Sequence, residues 1–231
     1  MGSQPEAAQA EIVMKASYEA QTVEGQAVEP HWPGLIALFV AAALNLFLPA
    51  SLAAGPGWLG VVVVAFLAAL AVLLPHRHQM LGHATTAIVT LELAAALTRL
   101  ILDLAAHRGR PVELLQAALI LWSMNVVVFA SWYWRLDAGG PHRRSRQHVY
   151  CGGAFLFPQL TLPADVRVAL GAGAWRPQFV DYLFLAFNSS TAFSPTDVPV
   201  LSAWAKILMM IQASISLATL AMVAARAVNI L

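Results

Sequence analysis

Apolar residues dominate five stretches of the chain, Gly34–Ala53, Gly57–Leu74, Ala84–Ala105, Val112–Trp134 and Ala205–Val228. A helix rises about 1.5 Å per residue, so about 20 such residues cross a hydrocarbon core of roughly 30 Å. Each stretch therefore predicts a membrane-spanning helix. Ala54-Gly55-Pro56 separates the first two as a tight hairpin, and Pro49 ends or kinks the first. A sixth segment, Phe179–Phe193, carries Asp181 and ends in Asn188-Ser189-Ser190-Thr191, which leaves a short apolar core. It is either a short span or a half-span that re-enters. The expected fold is all-α, a polytopic membrane helix bundle of six spans, or five plus a re-entrant half-helix. The chain divides into a polar N-terminal tail (1–32), a four-helix membrane region (33–134), a basic loop (135–178), and a short or re-entrant helix with the final span (179–231).

Composition agrees with that pattern. Hydrophobic residues make up 59% of the 231 and charged ones 11%, against about half and about a quarter in soluble domains. From Trp32 to Pro75 there is no Asp, Glu, Lys or Arg. A soluble enzyme is excluded on these grounds. The net charge of +1 comes without a clustered basic face, so nucleic acid is not an expected partner. The single cysteine, Cys151, excludes an intrachain disulfide and any multi-cysteine metal site. The tail is acidic (Glu6, Glu11, Glu19, Glu24 and Glu29 against Lys15) and lacks the basic start and short apolar run of a cleaved signal peptide. Trp32, Trp58, Trp132, Trp134 and Trp204 fall at span ends, where indole rings straddle the headgroup layer.

Lys and Arg concentrate on the cytoplasmic side of membrane proteins. With six spans one face holds Lys15, Arg77, Arg135, Arg143, Arg144, Arg146, Arg167, Arg176 and Arg226, and the other Arg108, Arg110 and Lys206. Six spans would thus put both termini in the cytoplasm of a plasma membrane. If the sixth segment dips and returns with the C-terminus still inside, the Arg143–Arg146 loop lies outside. That loop, flanked by His142 and His148, suits anionic lipid headgroups.

Charges within a span face the bundle interior or water. Glu92, Arg99 and Asp103 share one face of the third span with Thr85, and the spacing of Arg99 and Asp103 allows them to pair. Glu92 is left as the group to exchange a proton or meet a cation. The bland alternative is a polar patch that fixes helix packing. In the last span Gln212, Ser216, Thr219 and Arg226 line one stripe flanked by small residues, and a packing seam is the simpler reading. Gln116, Ser123 and Asn125 on the fourth span read the same way. His76-Arg77-His78 with His83 lacks a carboxylate or cysteine to complete a metal site. Nucleophile motifs, phosphate-binding glycine loops and zinc patterns are absent, so neither a cofactor nor an enzymatic activity is expected.

Two resemblances add to this. The run Ser190-Thr191-Ala192-Phe193-Ser194-Pro195-Thr196-Asp197, with an apolar stretch before it and a long helix after, resembles the pore helix, filter and inner helix of potassium channels. Asp197 takes the place of the acid after the filter. Ser194, Pro195 and Thr196 replace the filter glycines, so carbonyls cannot be aimed in the potassium-filter manner. The resemblance implies a degenerate pore module and, since such modules are tetrameric, a homo-oligomer. Trp132–Pro141, Phe155–Gln159, Phe179–Leu183, Thr191–Asp197 and Ala224–Leu231 together are similar to a family of bacterial integral membrane proteins catalogued as a domain of unknown function. That similarity implies a bacterial inner-membrane protein and no activity. The resulting expectation is a transport or channel-like protein, with Glu92, Arg99, Asp103, Asp181, Asn188, Ser190, Thr191, Thr196, Asp197, Gln212 and Arg226 as the candidate polar path. The competing expectation is a non-transporting scaffold or accessory subunit.

Overall fold

The computed structural model describes residues 32–53, 55–74, 77–106, 110–147, 150–172, 175–194 and 197–228, with side chains at 111 and 226–228 outside that description. The polar tail, His76, Arg108, His148 and Thr196 lie outside the described residues. The described chain is all-α. Its helices are α1 (Trp32–Leu44), α2 (Trp58–Leu73), α3 (His78–Ala105), α4 (Pro111–Leu136), α5 (Pro141–Ser145), α6 (Pro158–Thr161), α7 (Ala164–Ala169), α8 (Phe179–Ala192) and α9 (Ala203–Val228).

Among the described residues two helices are long and apolar enough to cross a membrane, over Val112–Gly139 and Ala203–Ala225. α1 and α2 are apolar but have 13 and 16 residues, and α3 has 28 but carries Glu92, Arg99 and Asp103. The first helix is shorter than the apolar stretch that predicts it. It gives way to a tighter 3-10 turn at Asn45–Phe47, and Pro49 then lends its carbonyl to Leu52 and Ala53 in a turn. The connection to α2 therefore runs from 48 to 57, not through the three-residue hairpin expected at 54–56. α3 begins six residues before the expected span and takes His78, Gln79 and His83 into its first turns. Among its described residues the basic loop holds three short α-helices, preceded by a 3-10 turn at Asp137–Gly139.

α4 is the central column, packed by α1 and α3 on one side and by α8 and α9 on the other. Gly34 of α1 lies flat on the Trp134 ring, where a Cβ would come within 2.3 Å of the indole. This fixes the start of α1 beside the end of α4. The directions of the last two helices follow from side-chain contacts. Phe155 packs its ring against Tyr133 (5.3 Å), Tyr182 (6.1 Å) and Trp204 (6.0 Å), so the end of α4 and the starts of both α8 and α9 meet at one level. About two turns further in, Gln212 of α9 donates to Ala186 O (2.8 Å) and Ser190 Oγ (2.9 Å) of α8. α8 and α9 are therefore parallel, and both are antiparallel to α4.

The six-span order, in which neighbours alternate direction, is not confirmed, since α8 and α9 run the same way. α8, about 21 Å long by helical rise, goes in and does not continue to the far end. It stops at Phe193 in the left-handed conformation (φ 53°), and the chain returns to its starting level. There Leu156 N bonds Pro199 O at 2.9 Å and Leu201 N bonds Ala154 O at 2.8 Å, before α9 starts inward. The start of α1 and the end of α9 lie at opposite ends of the bundle.

The contact of Gly34 with Trp134 gives a stability prediction. Gly34→Ala should cost about 1–3 kcal/mol through overpacking. Gly55→Ala, where the new methyl meets only Leu59 at 3.8 Å, should be close to neutral. Unfolding midpoints of the two purified variants check the difference.

Candidate functional site

Four polar groupings organise the molecule, and the first was not among the residues singled out from sequence. α4 ends at Asp137, and a left-handed Ala138 (φ 48°) followed by Gly139 (φ 81°) and Gly140 (φ 90°) turns the chain sharply into α5. Asp137 is fully buried. Its Oδ1 accepts from Ala154 N at 2.5 Å, and its Oδ2 accepts from the hydroxyls of Tyr150 and Tyr182, the latter at 2.6 Å. Arg144 lies beside this cluster, donating Nη1 to Trp134 O and Asp137 O at 2.7 Å, with its guanidinium 5.2 Å from the Tyr182 ring centre. Arg176 in turn donates to the carbonyls of Arg144 and Gln147. Burial, and then the charge of Asp137, push the Tyr150 phenol well above its ordinary value, so it stays protonated and donates. Arg144 is 2% exposed. Arg143 and Arg146, the other arginines of the Arg143–Arg146 loop, are exposed.

The second grouping centres on Gln212, which is buried where α4, α8 and α9 meet. Its Oε1 accepts from Tyr133 OH at 2.5 Å while its Nε2 donates to α8. Asn125 Nδ2 donates to Ser216 Oγ at 2.8 Å and Gln212 O at 3.2 Å. Ser190 and Gln212 thus belong to one network, in which Asn125 Oδ1 is buried without a partner. Thr219 bonds back to its own helix at Ile215 O.

The third lies across α4 from the second. Glu92, halfway along α3, accepts from Asn45 Nδ2 at 2.9 Å and sits over Gly60, whose Cβ would be 3.0 Å from Oε2. These residues with Gly57 border a cavity of about 70 Å³. Arg99 does not pair with Asp103 as their spacing suggested. Its Nη1 caps the carbonyls of Leu52 and Ala53 in the α1–α2 turn. A carbonyl at a turn is an acceptor that helical spacing alone cannot reveal.

The fourth is the space between α8, its return segment and α9. A groove of about 370 Å³ is lined by Ser189, Phe193, Ser194, Val200, Lys206 and Met209. Thr191 and Asp197 are exposed nearby in sequence, Asn188 is half-buried, and Thr191 bonds back to Phe187 O. Asp181 stands apart, because it caps the start of α8 by accepting from Gln178 N at 2.7 Å while Gln178 reciprocates. The candidate path therefore separates into the Glu92 corner and the Gln212 network on opposite sides of α4. Arg226 lies in α9 with its side chain outside the description. No grouping of three or more His, Cys, Asp or Glu fit for a metal occurs among the described residues. The signal that pointed to the Asp137 cluster was present in the sequence, as the Asp-Ala-Gly-Gly-Pro turn directly after a long apolar helix.

Tyr182→Phe should cost about 1–3 kcal/mol, since it leaves a buried carboxylate oxygen short of a donor. Tyr150 adds a pH dependence. Its folded value lies above the unfolded one, so its contribution is complete below about pH 10 and is lost as the unfolded phenol ionises above it. The midpoint of the protein should fall between pH 9 and 11, and fall less in Tyr150→Phe; thermal unfolding across that range checks both.

Comparison with protein-family models, with curated proteins and with solved structures finds no match to this chain.

Proposed function

We propose that this chain is a multi-pass membrane protein of transport or channel-like type, whose path runs through the module formed by α8, its return segment and α9. The parallel course of α8 and α9 carries the reading. Within a hydrocarbon layer, a helix that enters and comes back the same way leaves irregular backbone at depth, and this is tolerated where it is buried in protein or lines a wet cavity. Here a groove lies at that place, with Ser189, Ser194 and Lys206 among its apolar lining. The same order of parts underlies the resemblance to a pore helix and inner helix. Exposed apolar side chains on the outer helices, such as Phe66 at 65% and Leu73 at 74%, suit a lipid surroundings.

In this reading α3, α4 and α9 have the length to cross, the apolar pair α1 and α2, of 13 and 16 residues, inserts beside them, and α8 re-enters. The end carrying Arg143, Arg146, Arg167, Arg176 and Lys206 faces the cytoplasm by the positive-inside rule. The first helix then starts on the cytoplasmic side and the last ends on the other. A second reading, a scaffold that transports nothing, is favoured by one observation: both polar atoms of the Gln212 side chain are bonded to protein groups.

The topology is tested with impermeant maleimide on intact cells. Native Cys151, and Asp197→Cys in a Cys151→Ser background, should be protected until lysis, while Glu113→Cys in that background should label at once. Opposite compartments for positions 151 and 197 would make α8 a full span. Purified protein in planar bilayers with potassium chloride should conduct, and Ala213→Trp, which fills the groove, should abolish the conductance while leaving the protein folded. Silence of the unaltered protein towards both ions selects the scaffold.

A further inference from the structure

α3 and α4 meet near the end of α4 through an unusual contact. A Cβ at Gly82 would lie 2.0 Å from Arg135 Nη1, so the missing side chain is what lets the guanidinium rest against α3. Arg135 is 5% exposed. Its Cζ stands 5.4 Å from the Trp134 ring centre, and its Nε is enclosed with no acceptor. No carboxylate answers it, since the ion pair found among the described residues is Arg110–Glu113 at the other end of α4. Next to Gly82, the His83 ring stacks on Trp132 at 6.3 Å and 15°, and its Nε2 is likewise buried without a partner. Trp132 Nε1 is already committed to Thr90 Oγ1 at 2.9 Å, so it offers nothing to either.

A guanidinium keeps its charge under all ordinary conditions and presents a planar fork of N–H donors. Enclosing such a cation without an anion is costly, and the cost falls when an oxyanion takes two or more of those donors. Two orphaned nitrogens at one helix contact, one on a permanent cation and one on an imidazole whose Nε2 donates once the ring is protonated, define such a partner. We infer that Arg135 and His83 form a binding site for a phosphate-type oxyanion, supplied by a phospholipid headgroup or by free phosphate. Gln79 and Met80, on the turn before Gly82, are exposed, and Gln79 Nε2 donates to Gly139 O at 3.2 Å. Half-buried Trp132 sits on the same turn of α4, where an indole ring suits a headgroup layer, whereas Trp134 is buried against Gly34 and Phe179 and is no interfacial anchor. The lipid source rests on the membrane reading above, whereas the free-phosphate source does not.

The test uses the purified full-length protein in neutral detergent and follows its unfolding midpoint. The titrants are dioleoyl phosphatidylglycerol, the matched diacylglycerol without phosphate, and inorganic phosphate against chloride at equal ionic strength. A saturable rise with phosphatidylglycerol and none with diacylglycerol is expected. Arg135→Met should weaken the half-maximal concentration about tenfold, as loss of a bidentate charged contact does. His83→Phe keeps the Trp132 stack and should weaken it about threefold, which is the deciding arm should Arg135→Met fail to fold. A rise with phosphatidylglycerol alone assigns the headgroup, and an equal rise with inorganic phosphate assigns the free anion. No rise with either, or a rise unchanged in the variants because it arises at outward arginines such as Arg143 and Arg146, overturns the site. The maleimide experiment fails or succeeds independently of these outcomes.

Discussion

The buried carboxylate of Asp137 is the constraint on which the rest of the molecule turns. A carboxylate taken out of water needs its lone pairs answered, and here the answering groups come from two separate pieces of chain: Ala154 and Tyr150 in the loop and Tyr182 in α8. Arg144 adds a cation that at the same time ties Trp134 and Asp137 carbonyls. Meeting that one demand brings the long connection back over the end of α4 and sets the start of α8 there. Once α8 starts at that level, Phe155 has Tyr182 on one side and room for Trp204 on another. α9 must begin where α8 begins.

The Gln212 network then fixes how far the two parallel helices are offset. Gln212 uses its oxygen on α4 and its nitrogen on α8, so a slip of α8 or α9 by one residue would break bonds on both sides. A single amide thereby couples three helices, and the small residues beside it allow the approach. The Glu92 corner does the same on the other side of α4, holding the α1–α2 turn to the middle of α3.

What sequence revealed and what it withheld divide along physical lines. α2 and α9 were legible almost to the residue because each is a continuous apolar run bounded by turn residues. The end of α1 was not, because Pro49 acts back along the chain and a 3-10 turn intervenes before it. The direction of α8 could not be read from its own residues, since contacts far away in sequence set it. Helical spacing placed Arg99 within reach of Asp103, but turn carbonyls of Leu52 and Ala53 compete for the same guanidinium. Ser190 and Gln212 were found as polar residues at depth, while their mutual bonding came from the parallel packing. Asp137 and its tyrosines were passed over because a polar residue just past a helix reads as solvated unless its partners are known.

The early stop of α8 has an electrostatic side. A helix carries a partial negative charge of about half an electron at its C-terminal end and the opposite at its start. The positive start is balanced by Asp181 in the first turn. The negative end, at Ala192 and the left-handed Phe193, falls partway through the bundle and beside the groove that Lys206 lines. A longer helix would carry that pole to the far end of the bundle. Stopping short leaves it at the rim of the groove instead, so the fold presents there a fixed partial negative charge that no ionisable side chain supplies and no change of pH removes.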